Sequence, residues 1–253
     1  MYQTRFFFSL LSFSMVILLW ELVTRYSGWS SQVFPSPSAV FSSMLELITN
    51  GELLKHTVAS LFRVTAGFYL AVVLGIPLGI ILGRVKIAKL LFNPLVQFLR
   101  PISPLAWIPL AMLWFGIGDV PAIFLIFLSS FFPLVVSTSV AVESIKPTYF
   151  QVASNFNFSR MEVLTKIIIP AITPNVIIAL RLTITIAWLV VVAAEMIAVQ
   201  SGLGYMILDS RNALRMDYVM VGMIVIGIIG LLLDMVMQAL GNIESTAWGR
   251  LAK

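Results

Sequence analysis

Gln151-Val152-Ala153-Ser154-Asn155-Phe156-Asn157-Phe158-Ser159-Arg160-Met161-Glu162-Val163-Leu164-Thr165-Lys166-Ile167-Ile168-Ile169-Pro170 closes the longest polar interruption between apolar runs in this chain, one that begins at Glu143. The stretch carries its own folding instructions. Thr148 is followed three residues later by Gln151, and Ser159 three residues later by Glu162. Each pair has the form of a capping box, in which the hydroxyl accepts from an orphan N–H at the helix start and the longer side chain reaches back. Two short helices are predicted. Between them, Asn157 is the non-glycine type that most readily takes the left-handed conformation ending a helix. Pro170 is expected to close the second helix, because it lacks a donor. The segment reads as a stiff elbow lying outside a membrane.

The surroundings set the class. Of 253 residues, 60% are hydrophobic and only 11% charged, with a mean hydropathy of +1.01. Such a chain is an integral membrane protein. The absence of cysteine excludes disulfides and thiolate metal sites, and a single histidine, His56, excludes most catalytic and metal constellations. A membrane-embedded enzyme would need a His pair, a Ser with a nearby base, or Asp clusters within the spans, whereas this chain offers one His, no Cys and isolated charges.

Six spans are predicted, at Phe6–Thr24, Ser60–Gly83, Leu90–Trp114, Pro121–Val142, Asn175–Ala198 and Val219–Gly241. An interior amino terminus places Arg5, Arg84, Lys86, Lys89, Lys146, Arg160, Lys166, Arg250 and Lys253 inside, against Arg25, Lys55, Arg63, Arg211 and Arg215 outside. The positive-inside rule therefore puts both termini and the elbow in the cytoplasm. The first span is long and lacks a small-residue cleavage pattern, so it is expected to be retained. The net charge of +5 fits this loop bias and an anionic lipid surface, and does not point to nucleic acid.

From Gln151 to Pro170 the spacing resembles the cytoplasmic signature of bacterial ABC importer permeases: Glu-Ala-Ala, a Gly four residues after the second Ala, then Ile-x-Leu-Pro. Here these positions read Gln151-Val152-Ala153, Asn157 and Ile167-Ile168-Ile169-Pro170. The register is kept while Gln replaces Glu, Val the first Ala, Asn the Gly and Ile the Leu. Further stretches resemble the nitrate, sulfonate, taurine and bicarbonate group of these permeases: Phe34-Pro35-Ser36-Pro37-Ser38, Leu99 to Pro109, Ala193-Ala194-Glu195-Met196 and Ser201-Gly202-Leu203-Gly204-Tyr205.

The resemblance implies an all-α polytopic permease of the type I importer (MetI-like) fold, about six transmembrane helices in one domain over 1–253. Residues 1–59 would be the first span with an external amphipathic segment, and 60–245 the core, with a coupling helix near 148–169. It further implies ABC ATPase subunits as partners, a second permease copy facing this one, and an external substrate-binding protein. ATP and Mg would sit on the ATPase, with no cofactor on this chain, which has no phosphate-binding Gly-x-x-x-x-Gly-Lys-Ser/Thr loop. Phe150, Gln151, Ala153, Phe156, Asn157 and Phe158 would form the ATPase contact, with Arg160 and Glu162 at its rim. The substrate would be a small, anionic solute.

Other residues invite functional readings of their own. Pro94, Pro101, Pro104 and Pro109 cannot all fit an ordinary lipid-facing helix, since irregular backbone at membrane depth needs protein or water around it. Arg100, Ser103 and Pro104 lie at that break and are candidate pathway residues. Arg181 reads as a structural or interfacial cation. Glu195 is read as bracing a gate, by accepting from the Ser201-Gly202-Leu203-Gly204 turn or by pairing with Arg211 or Arg215. Gly75, Gly79 and Gly83 share a helix face and predict close packing of spans. Val33 to Ala59 is expected to lie on the outer surface, with a helix through Val40, Met44, Leu47 and Ile48 capped by Ser38 and ended by Asn50-Gly51. Arg211 and Arg215 are candidate receptor contacts. The rival reading is a self-sufficient secondary transporter or channel, which would need coupling carboxylates at mid-membrane in inverted repeats.

Overall fold

In the computed structural model, which describes residues 2–26 and 28–248, the seam that organises the molecule is written in glycine. Helix α1 spans Tyr2–Tyr26, α2 Pro37–Thr49 and α3 Glu52–Arg84, followed by α4 at Lys86–Leu99 and α5 at Ile108–Phe115. Helix α6 spans Asp119–Glu143 and packs along α3. A Cβ on Gly67 would lie 2.7 Å from Ile126, one on Gly79 2.6 Å from Thr138, and one on Gly83 2.6 Å from Val142. Only bare backbone permits this approach, so the small-residue face read from Gly75, Gly79 and Gly83 is a helix–helix contact, extended by Gly67.

The remaining elements are α7 (Pro147–Asn155), α8 (Arg160–Val163), a π-helical turn (Leu164–Ile168), α9 (Ile169–Ala198), α10 (Leu203–Asn212) and α11 (Met216–Trp248). Among the described residues four helical segments are long and apolar enough to cross a membrane: Glu52–Arg84, Asp119–Glu143, Arg160–Ala198 and Met216–Ala239. A fifth crossing exists if α4 and the segment Pro104–Phe115 are one broken span. At about 1.5 Å per residue, the 25 residues of α1 reach about 37 Å, longer than the roughly 30 Å of hydrocarbon that the first predicted span has to cross. Arg250 and Lys253 of the charge count lie outside the described residues.

Four local expectations are corrected. The third span is not one helix: α4 and Pro104–Phe115 meet at 88°, the single 3₁₀ turn Pro104–Trp107 leading into α5. The second span starts at Glu52 rather than Ser60, because Gly51 at φ 78° redirects the chain straight from α2 into α3. Helix α2 is capped by Ser36, whose Oγ accepts from the Ala39 N–H, rather than by Ser38. Pro37 takes the first helical position, where its missing donor costs nothing, and so moves the cap one residue upstream of itself. Finally, Pro170 does not end a helix: Arg160–Ala198 is one rod of 39 residues. The wide π turn immediately before Pro170 shifts the preceding carbonyls and accommodates both the ring and the missing N–H.

The main core lies at the end away from the elbow, where Leu47, Val64, Ile126, Trp188, Val191 and Leu203 meet. Trp188 ties α9 to α11 by donating from Nε1 to the Ile226 carbonyl at 3.0 Å.

Candidate functional site

Three groups of functional side chains stand at different heights along the helices. The best formed is a buried polar clamp at the end away from the elbow. His56, Ser60 and Arg63 follow one another at helical spacing on α3, so they share a face. Arg63 is 2% exposed and Glu195, on α9, is 0% exposed. Arg63 donates to Glu195 Oε1 at 2.6 Å, to the Ser201 carbonyl at 2.8 Å, to Ser201 Oγ, and to Asp119 Oδ1 at 2.8 Å. Glu195 Oε2 accepts from Ser60 Oγ at 2.8 Å and from the Gly204 N–H at 3.0 Å. Ser60 Oγ in turn accepts from the Leu203 N–H at 2.9 Å, and His56 Nδ1 from the Gly202 N–H at 3.0 Å.

The turn from Ser201 to Gly204 is thus threaded through five donor–acceptor links to α3 and α9. Gly202 takes φ 102°, and a Cβ on either Gly202 or Gly204 would overlap the Glu195 side chain or the Val192 carbonyl. Glycine is required at both positions. The predicted bond between Glu195 and this turn is present. Its predicted partner is corrected: Glu195 pairs with Arg63, which the charge count had placed among exterior cations, and not with Arg211 or Arg215. Arg215 pairs instead with Asp217 at 2.8 Å and Glu46 at 3.6 Å, and stacks over the Tyr218 ring at 3.8 Å. The Asp217 carboxylate holds the Arg215 guanidinium above its ordinary pKa. Arg211 is exposed and, among the described residues, its guanidinium meets only Asn212, at 3.4 Å.

At mid-height, Arg181 makes a bidentate pair with Asp234 of α11, at 2.6 and 2.7 Å. This fits the structural reading of Arg181 and supplies a partner that the sequence reading had not named. Arg100 and Ser103 are exposed at the break after α4, and Pro104 opens the 3₁₀ turn that follows. Among the described residues no hydrogen bond joins Arg100 or Ser103 to the clamp, so the structure does not bring the predicted pathway and gate residues into one site.

The elbow is the third group. Ser159 forms the complete capping box with Glu162, and Asn157 is left-handed at φ 52°, both as predicted. The Thr148–Gln151 box does not form: Lys146 is the N-cap and Pro147 the first helical residue, which puts Thr148 inside the first turn, past the capping position. Ala153 is buried against this chain rather than offered outward. Phe150 packs inward under the Arg84 guanidinium, 4.0 Å from its ring centroid, and Phe158 is half-buried with Lys166 Nζ 5.1 Å from its ring. Phe156 is 71% exposed, beside exposed Gln151, Asn157 and Arg160. Tyr149, Val152 and Met161, which the sequence reading passed over, complete the exposed apolar face of the elbow.

Comparisons with known proteins agree on one family. Residues 75–243 match the model of the binding-protein-dependent transport system inner membrane component. A Bacillus subtilis protein named as an aliphatic sulfonates transport permease is 36% identical over 87% of this chain and 80% of its own length. A nitrate import permease protein of Synechocystis is 34% identical over 87% of this chain and 82% of its own length. Among solved structures, the MetNI methionine ABC transporter in an inward-facing conformation superposes with a TM-score of 0.58 at 16% identity, covering 78% of this chain and 97% of that one. That likeness shows a common fold.

Proposed function

Because this chain belongs to the inner membrane components of binding-protein-dependent transport systems, we propose a mechanism in which its elbow receives the force of ATP hydrolysis and its clamp governs the opposite mouth of the pathway. The chain is the permease subunit of an ATP-driven ABC importer, and works with an ATPase and a substrate-binding protein. ATP and Mg are held by the ATPase, and this chain binds no cofactor. The elbow faces the cytoplasm together with both termini, and two copies of the chain face each other across the pathway in the lipid bilayer. The solute is a small anion of the nitrate, sulfonate or bicarbonate kind, delivered by the receptor to the end where Arg211 and Arg215 are exposed.

The observation that carries this reading is the rod Arg160–Ala198. One unbroken helical segment begins beside the exposed Phe156 and bears Glu195 of the clamp near its other end. Closure of the ATPase on the elbow then reaches the clamp as rigid-body movement. Glu195 serves as a structural closure and not as a ligand, since it is fully buried and both its oxygens are already taken by Arg63, Ser60 and Gly204. Reconstitution in proteoliposomes tests the reading. Taurine or nitrate uptake is expected only with the ATPase, the receptor and ATP present, and full uptake by the lone chain would overturn it.

A further inference from the structure

Helix α4 has one polar face that neither the clamp nor the elbow uses. Lys86, Lys89, Asn93, Gln97 and Arg100 fall at spacings of three and four residues, a single stripe on an α-helix. The opposite surface, with Ile87, Leu91, Leu95 and Phe98, is exposed and apolar, as a lipid-facing side must be. From Lys86 to Arg100 the stripe climbs about 21 Å, from the elbow end to the break that follows Leu99.

The stripe borders an open cleft of about 140 Å³ between α3, α4 and α6, lined by Lys89, Asn93, Gln97, Ser139, Glu143 and apolar neighbours such as Val136. Lys89 donates to Glu143 Oε2 at 2.7 Å, while Ser139 Oγ donates to Glu143 Oε1 at 3.2 Å. The amides of Asn93, half-buried, and Gln97, exposed, have no hydrogen-bond partner among the described residues, so their donors are free at the edge of the cavity.

We propose that this cavity is a transit site for small oxyanions. Asn93 and Gln97 donate from their amides, and Lys89 supplies the charge once the anion displaces Glu143 from it. Arg100 continues the cationic track to the break. With the site empty, the Lys89–Glu143 pair neutralises the cavity. With an anion present, Glu143 is released toward Ser139 and solvent, so the anion is held by few donors and can leave. The assignment rests on the importer reading for its direction of flow and its solute class.

The natural absence of cysteine makes the test direct. Asn93→Cys, Gln97→Cys, and the lipid-side controls Leu91→Cys and Leu95→Cys are prepared in the full chain in nanodiscs. Each is reacted with anionic methanethiosulfonate ethylsulfonate and with its cationic trimethylammonium analogue. The stripe cysteines are expected to react at least tenfold faster than the controls, with the anionic reagent favoured. Millimolar nitrate or methanesulfonate should slow them several-fold, and Lys89→Gln should abolish the anion preference. Equal rates on the two faces, or fast reaction with neither anion preference nor slowing, would overturn the site. If stripe and anion effects appear while reconstituted ATP-dependent uptake does not, the site stands and the importer reading fails.

Discussion

Glu195 accepts through both carboxylate oxygens, one from Arg63 and the other from Ser60 and Gly204, and that division makes Glu195→Gln an informative substitution. An amide has one acceptor oxygen and one donor nitrogen. Whichever way it turns, an N–H group faces either the Arg63 guanidinium or the Gly204 N–H, leaving a buried donor unmet. Such a group costs about 1–3 kcal/mol, and the lost charge-assisted bond to Arg63 places the total near the upper end, about 3 kcal/mol or roughly a hundredfold in the unfolding constant. Arg63→Met strands the buried carboxylate and is expected to cost about 3–5 kcal/mol. Joining Arg63→Met to Glu195→Met removes both charges, so the double variant should lose at least about 1.5 kcal/mol less than the sum of the single losses. Equilibrium unfolding of the purified chain in mixed micelles, followed by tryptophan fluorescence, reads all four variants, the single Glu195→Met included. Additivity to within about 0.5 kcal/mol would refute the coupling, as would a Glu195→Gln variant as stable as the parent.

Phe156→Asp should leave the helices folded by circular dichroism while ATP hydrolysis by the partner no longer drives uptake; undiminished uptake would remove Phe156 from the docking face. Gly79→Val places a side chain against Thr138 and the Val135 carbonyl and should cost about 1–3 kcal/mol of stability, whereas Gly227→Ala, with nothing within 4 Å of the new Cβ, should be neutral or slightly stabilising in the same assay. Ser159→Ala removes the cap of α8 at a cost of about 1 kcal/mol, visible as faster amide exchange over residues 159–163. Arg211→Gln together with Arg215→Gln should weaken stimulation of the ATPase by the receptor without lowering the melting temperature appreciably, because exposed ion pairs contribute about 0–1 kcal/mol.

The class of the fold, the small-residue seam and the second capping box were legible because each depends on local chemistry: apolar length, the missing Cβ, a hydroxyl three residues from a carboxylate. What escaped was pairing across long separations. Arg63 and Glu195 are 132 residues apart and Arg181 and Asp234 53 apart, and helical periodicity gives a face without naming its neighbour. A signal was nevertheless present, since His56, Ser60 and Arg63 form a polar stripe at the start of an apolar helix. The elbow shows the opposite failure. The Thr148 box matched by spacing yet yielded to Pro147, which takes the first helical position, and Ala153, which the family register places at the ATPase contact, packs inward. Pro170 misled because a proline stops an α-helix only when the preceding turn keeps its usual width.

The continuity of Arg160–Ala198 has a mechanical corollary. The capped tip and the Glu195 carboxylate are separated by about 53 Å of helix, so the rod behaves as a see-saw arm. A rocking of about 5° about one end sweeps the other through about 4–5 Å, more than enough to part a contact of 2.6 Å. On the proposed coupling, nucleotide need not deform anything near the solute, because arm length alone would turn a slight nudge at the tip into an unlatching at the far end.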